Sequence, residues 1–232
     1  MALSVQNRLT LTGNQLKLLA LVLMTADHVG MQLLPQYPIL RIIGRLSMPI
    51  YGYMIAEGCR HTRSRLRYGL GIALLALLCQ SVTWATTGSL YQCILVTFSL
   101  SVALCSLADR AERNRDFLSC ALLLLGLLTA WFLSMTLPRL LAGSTFRIDY
   151  GFFGILLPVL IFLGRDRRQR LILCGLGLIP ICFCLGGYQW YSLLSLPILA
   201  LYAGHRGKAR LKYLFYLYYP AHMAVIYLLT LV

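Results

Sequence analysis

The sequence has few acidic residues and few charges of any kind. Of its 232 residues only 12% are charged, and 7 Asp and Glu stand against 21 Lys and Arg. A soluble domain carries about 25% charged residues, and the polar runs between the apolar segments here reach only about a dozen residues, too few for such a domain. The hydrophobic content of 59% and the mean hydropathy of +0.74 therefore indicate an integral membrane protein.

The sequence also lacks the signatures of a disulfide framework, a metal site or a cleaved leader. Its 8 cysteines form no CxxC pair and lie almost wholly in apolar segments, where cysteine is usually a small packing residue. The opening residues, MALSVQNRLTLTGN, are polar and contain no short apolar core followed by a small-residue cleavage site. We therefore predict no metal ligands and no removable signal peptide, and we expect the first helix to direct membrane insertion.

Apolar segments between glycines, prolines and charge clusters predict about nine membrane-spanning helices. They run approximately over residues 14–34, 40–60, 66–86, 91–108, 117–138, 150–164, 170–187, 189–203 and 210–231. A hydrocarbon core about 30 Å thick needs ~20 apolar residues per helix. The segments 150–164 and 189–203 are shorter and contain proline, so each could be tilted, broken or re-entrant, and the count is eight to ten. The predicted fold is all-α, a polytopic membrane bundle in one domain over residues 1–232.

The basic residues predict how this bundle lies in the membrane, because short loops rich in Lys and Arg stay in the cytoplasm. Four loops hold fifteen of the 21: Arg60, Arg63, Arg65, Arg67, Arg110, Arg113, Arg115, Arg165, Arg167, Arg168, Arg170, Arg206, Lys208, Arg210 and Lys212. The intervening loops TTGSLY and GGYQW hold none. This alternation predicts a multi-pass protein of a cytoplasmic membrane with its N-terminus in the cytoplasm. The net charge of +14 then reflects topology and contact with anionic lipid in the bilayer, not nucleic-acid binding.

Three acidic residues, Asp27, Glu57 and Asp149, fall within or beside the predicted spans, where a charge is costly and is usually paired. Counting depth at ~1.5 Å per helical residue arranges the polar residues in two layers. The outer layer contains Asp27, His28, Arg41, Arg45, Asp149 and His222. The inner layer contains Lys17, Glu57, Arg60, His61 and Arg63. Histidines in the outer layer suit proton transfer, and the basic inner layer suits an anionic, phosphate-bearing ligand from the cytoplasm.

Depth also predicts that Asp27 pairs with Arg45 or Arg41. Consecutive helical residues point about 100° apart, so we expect Asp27 to anchor to an arginine while His28 projects into a cavity. Structural alternatives remain open for each residue. The Asp27–Arg45 pair could simply lock two helices together, His28 could be a packing histidine, His222 could satisfy a carbonyl freed by Pro220, and Glu57 could mark a solvated helix end.

Four segments together resemble the TraX family: LKLLALVLMTADHVG (16–30), RIIGRLSMPIYGYMIAEGCRHTRSRLRY (41–68), DYGFFGILLP (149–158) and KYLFYLYYPAHMAVIYLL (212–229). The motifs DH, GR, EG, HTR, DYG and YPxH occur in order over most of the chain. The family resembles polytopic membrane acyltransferases that use cytoplasmic acyl-CoA and includes the pilin acetylase of conjugative plasmids. The resemblance implies transfer of an acetyl group from acetyl-CoA, as acyl-donor substrate, to an amine or hydroxyl on an acceptor protein N-terminus or a cell-surface glycan.

On this hypothesis the site residues divide into three groups. The catalytic residues are His28, Asp27, Arg45 and His222, with His28 as general base or acyl carrier and Asp27 with Arg45 fixing the first two helices. The acetyl-CoA-binding residues are Lys17, Glu57, Arg60, His61, Arg63 and Arg65. The acceptor-binding residues are Arg41, Asp149, Tyr150 and Tyr219. A proton-coupled membrane transporter is the alternative function, and a purely structural membrane subunit is a third.

Overall fold

All regular elements of the computed structural model, which describes residues 10–209 and 211–230, are helical. Arg8, a basic residue before the first predicted span, and Arg210, in the last of the four predicted cytoplasmic loops, lie outside these residues. The helices are α1 Gly13–Gln32, α2 Pro38–Gly44, α3 Ser47–His61, α4 Arg65–Thr87, α5 Ile94–Asn114, α6 Phe117–Trp131, α7 Leu137–Leu140, α8 Gly151–Leu163, α9 Arg167–Leu185, α10 Ser195–Leu199 and α11 Lys212–Leu229. A π-helical turn, Phe132–Thr136, joins α6 to α7, and a 3-10 helix, Gly187–Leu194, precedes α10. The prediction of an all-α fold is confirmed.

Four of these helical stretches are long and apolar enough to cross a membrane. They are Arg65–Thr87, Ile94–Asn114, Phe117–Leu140 and Arg167–Leu185. Large apolar side chains stay exposed along them, as at Leu70, Leu74 and Leu77 on α4. A soluble protein rarely leaves so extended an apolar surface uncovered, so these helices fit a lipid environment. The count of nine spans and the cytoplasmic N-terminus stay predictions.

Two of the predicted spans are not single helices, which corrects the sequence-based boundaries. Segment 40–60 divides after Gly44 into α2 and α3, and Pro49 lies in the first turn of α3. Proline has no N–H for the carbonyl four residues earlier, so this break has a local cause. Segment 189–203 contains most of the 3-10 helix and the five-residue α10. Of the tilted, broken and re-entrant forms predicted for it, the structure has the broken one. Segment 150–164 is one helix of 13 residues, about 20 Å long.

The chain divides into two compact units, which are described separately. Unit 1 contains the described residues of Met1–Ile50 and Tyr191–Val232, and unit 2 is Tyr51–Trp190. In unit 1, α1 packs against α2 and α11. In unit 2, α5 packs against α4, α6 and α8, and α8 packs against α9. The prediction of a single domain over 1–232 stays a prediction.

The segment before α11 is fastened to the start of α1. Thr12 caps α1 and exchanges hydrogen bonds with Gln15 in a capping box. The next two main-chain N–H groups, of Gly13 and Asn14, donate to the carbonyls of His205 and Arg206 at 2.9 Å each. These bonds satisfy donors that a helix start would otherwise leave unpaired, and they help to place α11 beside α1.

Candidate functional site

Asp27 lies on α1, is 9% exposed, and is bound by two arginines of unit 1. Arg45, directly after α2, donates from Nε to Oδ1 at 3.1 Å and from Nη2 to Oδ2. Arg41 Nη1 lies 2.9 Å from Oδ2 and donates to the main-chain carbonyl of Asp27 at 3.3 Å. The planar guanidinium of Arg45 matches both carboxylate oxygens. The predicted pairing is confirmed, and Asp27 binds both arginines rather than one.

Glycines allow α1 and α2 to approach closely enough for these contacts. A Cβ on Gly44 would lie 2.3 Å from Cβ of Asp27 and 2.7 Å from its Cα. A Cβ on Gly30, on the other helix, would lie 2.6 Å from Cβ of Leu40. Carbon atoms normally approach only to about 3.5–4.0 Å, so neither position accepts a side chain without separating the helices. The GR motif therefore has a local reason: Gly44 brings the helices together and Arg45 reaches Asp27.

His28, the next residue on α1, contacts a different helix from Asp27. Its Nδ1 lies 2.9 Å from Nε2 of His222 on α11, and the two rings stack with their centroids 5.1 Å apart. His222 is 7% exposed and His28 is partly buried, and both belong to unit 1. The expectation that Asp27 and His28 divide their partners is confirmed. His28 packs against another imidazole, whereas the sequence predicted a cavity in front of it.

The hydrogen bonds of the histidine pair determine which ring nitrogens carry protons. Nδ1 of His222 lies 2.9 Å from the main-chain oxygen of Tyr218, and because a carbonyl only accepts, this nitrogen carries the proton. In the neutral ring Nε2 of His222 is then the acceptor, so Nδ1–H of His28 donates to it. Neutral His28 keeps its lone pair on Nε2. The pair therefore offers one unprotonated nitrogen, a base or a nucleophile.

The surroundings of His222 bear on the packing interpretation made from Pro220. Pro220 has no N–H for the carbonyl of Tyr216, four residues earlier, yet His222 bonds the carbonyl of Tyr218 instead. Tyr219 presents its ring edge-on to His222, with centroids 5.5 Å apart. Tyr219, which is predicted to bind the acetyl acceptor, thus lies beside the histidine pair, and its role stays a prediction.

In unit 2, Glu57 is a buried acid on α3 that pairs with Arg170 of α9. Glu57 is 5% exposed, so the interpretation as a solvated helix end is wrong. His61, one turn further along α3, has Nε2 at 3.5 Å from Oε2 of Glu57 and a side chain that is 71% exposed. Arg170 stands 113 residues away in the sequence and had no local signal that linked it to Glu57.

Two of the predicted acetyl-CoA-binding arginines make contacts within unit 2. Arg60 donates from Nη1 to the carbonyls of Phe162 and Gly164, at 2.8 Å each. It therefore satisfies acceptors that the end of α8 leaves open. Arg65 lies 2.5 Å from Asp109 Oδ2 on α5 and donates to the carbonyl of Cys59 at 2.8 Å. These contacts fasten α3 and α4 to their neighbours.

Two other residues predicted to bind acetyl-CoA, Arg63 and Lys17, belong to different units of the chain and have different surroundings. Arg63, between α3 and α4, has an exposed side chain. Lys17 belongs to unit 1, where its Nζ lies 5.5 Å from the ring centre of Phe215, a cation–π distance. The role of these residues in binding a nucleotide stays a prediction.

Asp149 and Tyr150, which are also predicted to bind the acetyl acceptor, form a tight turn before α8. Tyr91 donates to Asp149 Oδ1 at 2.6 Å, and Thr97 donates to the Asp149 carbonyl at 2.7 Å. Tyr150 and Gly151 have φ of 58° and 56°, so two successive residues occupy the left-handed region. Such a conformation strains a tyrosine and persists where surrounding contacts hold it. The DYG motif therefore has a structural reason, whatever it binds.

Around the histidines and Glu57, sequence reasoning missed Tyr218, which stacks on His222, Thr25, which bonds the Tyr218 hydroxyl, and Arg170, which pairs with Glu57. Thr25 is three residues before His28, and Tyr218 is four before His222, so helical spacing alone places each on the face of its histidine. Among residues 10–209 and 211–230, no group of three His, Cys, Asp or Glu side chains is arranged to hold a metal ion.

The long apolar helices and the low content of charged residues define a helical membrane protein. Its polar contacts within unit 1 link three helices through the DH, GR and YPxH motifs. The chain belongs to the TraX family, described as TraX protein, which matches residues 12–230. The resemblance inferred from the motifs is confirmed.

Two curated relatives are similar to this chain. An uncharacterized protein of Rickettsia prowazekii (strain Madrid E) is 30% identical over 68% of this chain, and the match spans 58% of that relative's own length. A protein of Dichelobacter nodosus named probable fimbrial assembly protein FimC, serogroup H1, is 26% identical, over 91% of this chain and 93% of the relative. No solved structure matches the chain.

Proposed function

We propose that this protein is a membrane acetyltransferase of the cytoplasmic (inner) membrane of a bacterium. It transfers an acetyl group from cytoplasmic acetyl-CoA to an amine or a hydroxyl, on a protein N-terminus or a cell-surface glycan. The observation that carries this proposal is the partly buried hydrogen bond between His28 Nδ1 and His222 Nε2, 2.9 Å long. This bond leaves His28 Nε2 as an unprotonated nitrogen. The preceding residue, Asp27, is held by two arginines.

An unprotonated imidazole nitrogen suits both routes of acyl transfer. As a general base, Nε2 of His28 takes the proton of the acceptor while the acceptor's nitrogen or oxygen forms a bond to the acetyl carbon. The carbon–sulfur bond then breaks to release the CoA thiolate. As a nucleophile, Nε2 bonds to the acetyl carbon while the carbon–sulfur bond breaks and the CoA thiolate leaves. The acceptor then attacks the acetyl carbon, the bond from that carbon to Nε2 breaks, and Nε2 takes the acceptor's proton. In either route the imidazolium that forms donates through Nδ1 to His222, which disperses its charge.

The arginines beside Asp27 favour the anions that form in this reaction. Arg41 and Arg45 supply two positive charges against the one carboxylate of Asp27, so this cluster has an excess of one. Fixed positive charge stabilises a tetrahedral oxyanion or a leaving thiolate in a site shielded from water. Arg41 is the less fully engaged of the two, because it contacts one carboxylate oxygen where Arg45 contacts both.

The donor is proposed to bind at the basic end of unit 2, where the predicted cytoplasmic loops follow α3, α5 and α8. His61 and Arg63 present exposed side chains there, and guanidinium groups match phosphate geometry. Glu57, Arg60 and Arg65 hold this end together through their contacts with α9, α8 and α5. The name of the Dichelobacter nodosus relative, a probable fimbrial assembly protein, supports an acceptor among surface fibres.

The test uses the full chain in lipid nanodiscs, with acetyl-CoA binding and release of the CoA thiol as readouts. Peptides with a free N-terminus and glycans are offered separately as acceptors. We expect saturable acetyl-CoA binding in wild type, and a loss of transfer of at least about 10²-fold in His28→Ala with binding retained. Arg63→Ala is expected to weaken binding, whereas Arg139→Ala, which changes an exposed arginine of α7 outside the four basic loops, is not.

His205→Ala is the matched control for His28→Ala, because His205 is an exposed histidine in a loop of unit 1. Equal transfer by the two variants would refute the role of His28. Absence of acetyl-CoA binding in wild type would refute the proposed reaction. In that case, flux of a substrate into proteoliposomes without acetyl-CoA would support the transporter alternative.

A further inference from the structure

We infer that Tyr218 and Thr25 are positioning residues that keep the His28–His222 pair in a single proton arrangement. This inference rests on the proposed function, because it assigns a role in presenting His28 Nε2 as the reacting atom. Neither residue touches the proposed reacting nitrogen. Both act through the two histidines.

Tyr218 extends the histidine pair into a stack of three rings. Its ring lies 5.3 Å from that of His222, centroid to centroid, with 16° between the ring planes. His222 in turn lies 5.1 Å from His28 with 25° between their planes. His222 is therefore held between two rings, and its own Nδ1 bonds the main-chain carbonyl of Tyr218 at 2.9 Å. Tyr218 thus contacts His222 twice, through its stacked ring and through the carbonyl that accepts the Nδ1 proton.

The hydroxyl of Tyr218 fastens this stack to α1. Thr25 Oγ1 donates its single proton to the carbonyl of Leu21 at 2.9 Å, so the 2.7 Å contact between Thr25 Oγ1 and the Tyr218 hydroxyl has Tyr218 as donor. Thr25 precedes His28 by one turn, and Tyr218 precedes His222 by one turn, so the two contacts lie along one seam between α1 and α11. The directions of the Tyr218–Thr25, His222–Tyr218 and His28–His222 hydrogen bonds are thereby assigned.

The direction matters because a neutral histidine pair has a second arrangement. If His222 turned away from the Tyr218 carbonyl, its proton could move to Nε2 and be donated to His28 Nδ1. His28 would then carry its proton on Nε2 and would become a donor at the point where the reaction needs an acceptor. Holding α11 in register with α1 excludes this arrangement, and the Thr25–Tyr218 bond joins the two helices one turn from each histidine.

The first test measures the tautomers directly and needs no substrate. The full chain is labelled with ¹⁵N-histidine in nanodiscs, and its 4 histidines are assigned by single replacement. We expect His28 and His222 of wild type to show one protonated Nδ1 and one unprotonated Nε2 each. Tyr218→Phe and Thr25→Val should show averaged signals for both rings. Tyr227→Phe, which removes a hydroxyl from the same helix, and Thr25→Ser, which keeps the hydroxyl, should retain the wild-type signals.

The second test is kinetic and uses a double-mutant cycle. Tyr218→Phe and Thr25→Val are each expected to lower kcat about tenfold with little change in KM, and the double variant should lose no more than either single variant, because both remove one bond. The pH dependence of kcat should shift in these variants and not in Tyr227→Phe. Wild-type tautomer signals and wild-type kcat in Tyr218→Phe would overturn the inference.

The two tests separate this inference from the proposed function. Wild type that fails to transfer acetyl groups but shows the ordered tautomers would refute the reaction and leave the positioning role standing. Wild type that transfers acetyl groups while Tyr218→Phe matches Tyr227→Phe would refute only the positioning role. Additive losses in the double variant would also count against it, since they would mean that the two side chains act through different contacts.

Discussion

The substitution Gly44→Ala tests whether the close approach of α1 and α2 holds Asp27 between its arginines. The added Cβ would lie 2.3 Å from Cβ and 2.7 Å from Cα of Asp27. Both atoms belong to the framework of α1, so a change of rotamer cannot relieve the clash. Because a normal carbon–carbon contact is about 3.5–4.0 Å, the two helices have to separate by about 1 Å.

The cost of this separation follows from the contacts it stretches. The bond from Arg45 Nε to Asp27 Oδ1, now 3.1 Å, would lengthen to about 4 Å, beyond hydrogen-bonding range. A charge-assisted hydrogen bond contributes about 1.5–3 kcal/mol, and overpacking costs about 1–3 kcal/mol. Alanine gains about 1 kcal/mol over glycine within a helix. The expected net loss is about 3 kcal/mol in the free energy of unfolding.

The assay is reversible unfolding in mixed micelles, with acetyl transfer measured on the same preparations. Gly143→Ala is the matched control, because a Cβ at Gly143 meets nothing within 4 Å. Gly44→Ala should be destabilised and should lose transfer about 10²-fold, the scale of a 1 Å misplacement in a catalytic site. Equal unfolding free energies for the two variants would refute the argument that glycine is required at this contact.

Two further predictions concern groups outside unit 1. Glu57→Gln removes the charged partner of the half-buried Arg170. Breaking a buried ion pair costs about 3–5 kcal/mol, and because glutamine keeps one carbonyl we expect a loss at the lower end of this range in the free energy of unfolding. The exposed Glu112→Gln should show no loss, and equal unfolding curves for the two variants would contradict the prediction. Asp116 caps α6 by accepting the N–H of Ser119 at 2.6 Å, which lowers the pKa of its carboxyl below the ordinary 3.8. Protonation removes this bond, so its contribution is present at neutral pH and is lost as the pH falls through the lowered pKa. Asp116→Ala should therefore be less stable than wild type at neutral pH and equal to it in strong acid, and a difference that persists in acid would contradict this assignment.

Depth counting predicted the partners of Asp27 because the two helices follow each other closely in the chain. An acid beyond the midpoint of one helix and arginines near the start of the next come to the same level when a short turn joins them. The same depth counting placed His28 and His222 at a shared level but did not predict that they are in contact. Whether α1 and α11 are neighbours depends on packing, which no local pattern encodes.

The partner of Glu57 shows the limit more clearly. The sequence offered Arg60 and His61 on the same helix, and His61 does lie 3.5 Å from Glu57. The closer partner is Arg170 of α9, while Arg60 turns to the carbonyls at the end of α8. Several arginines at one end of unit 2 could satisfy one carboxylate equally well, so only the packing of α3 against its neighbours selects among them.

Asp27 and His28 are adjacent because they serve two different helix contacts from one turn of α1. At about 100° per residue, neighbouring side chains face different partners, and here the carboxylate faces α2 while the imidazole faces α11. The guanidinium groups fix one side of that turn, and the hydrogen bond to His222 fixes the other. Held from both sides, the ring of His28 has little freedom to rotate. The buried carboxylate of Asp27 therefore acts on the proposed chemistry indirectly, by keeping the orientation of the histidine that follows it.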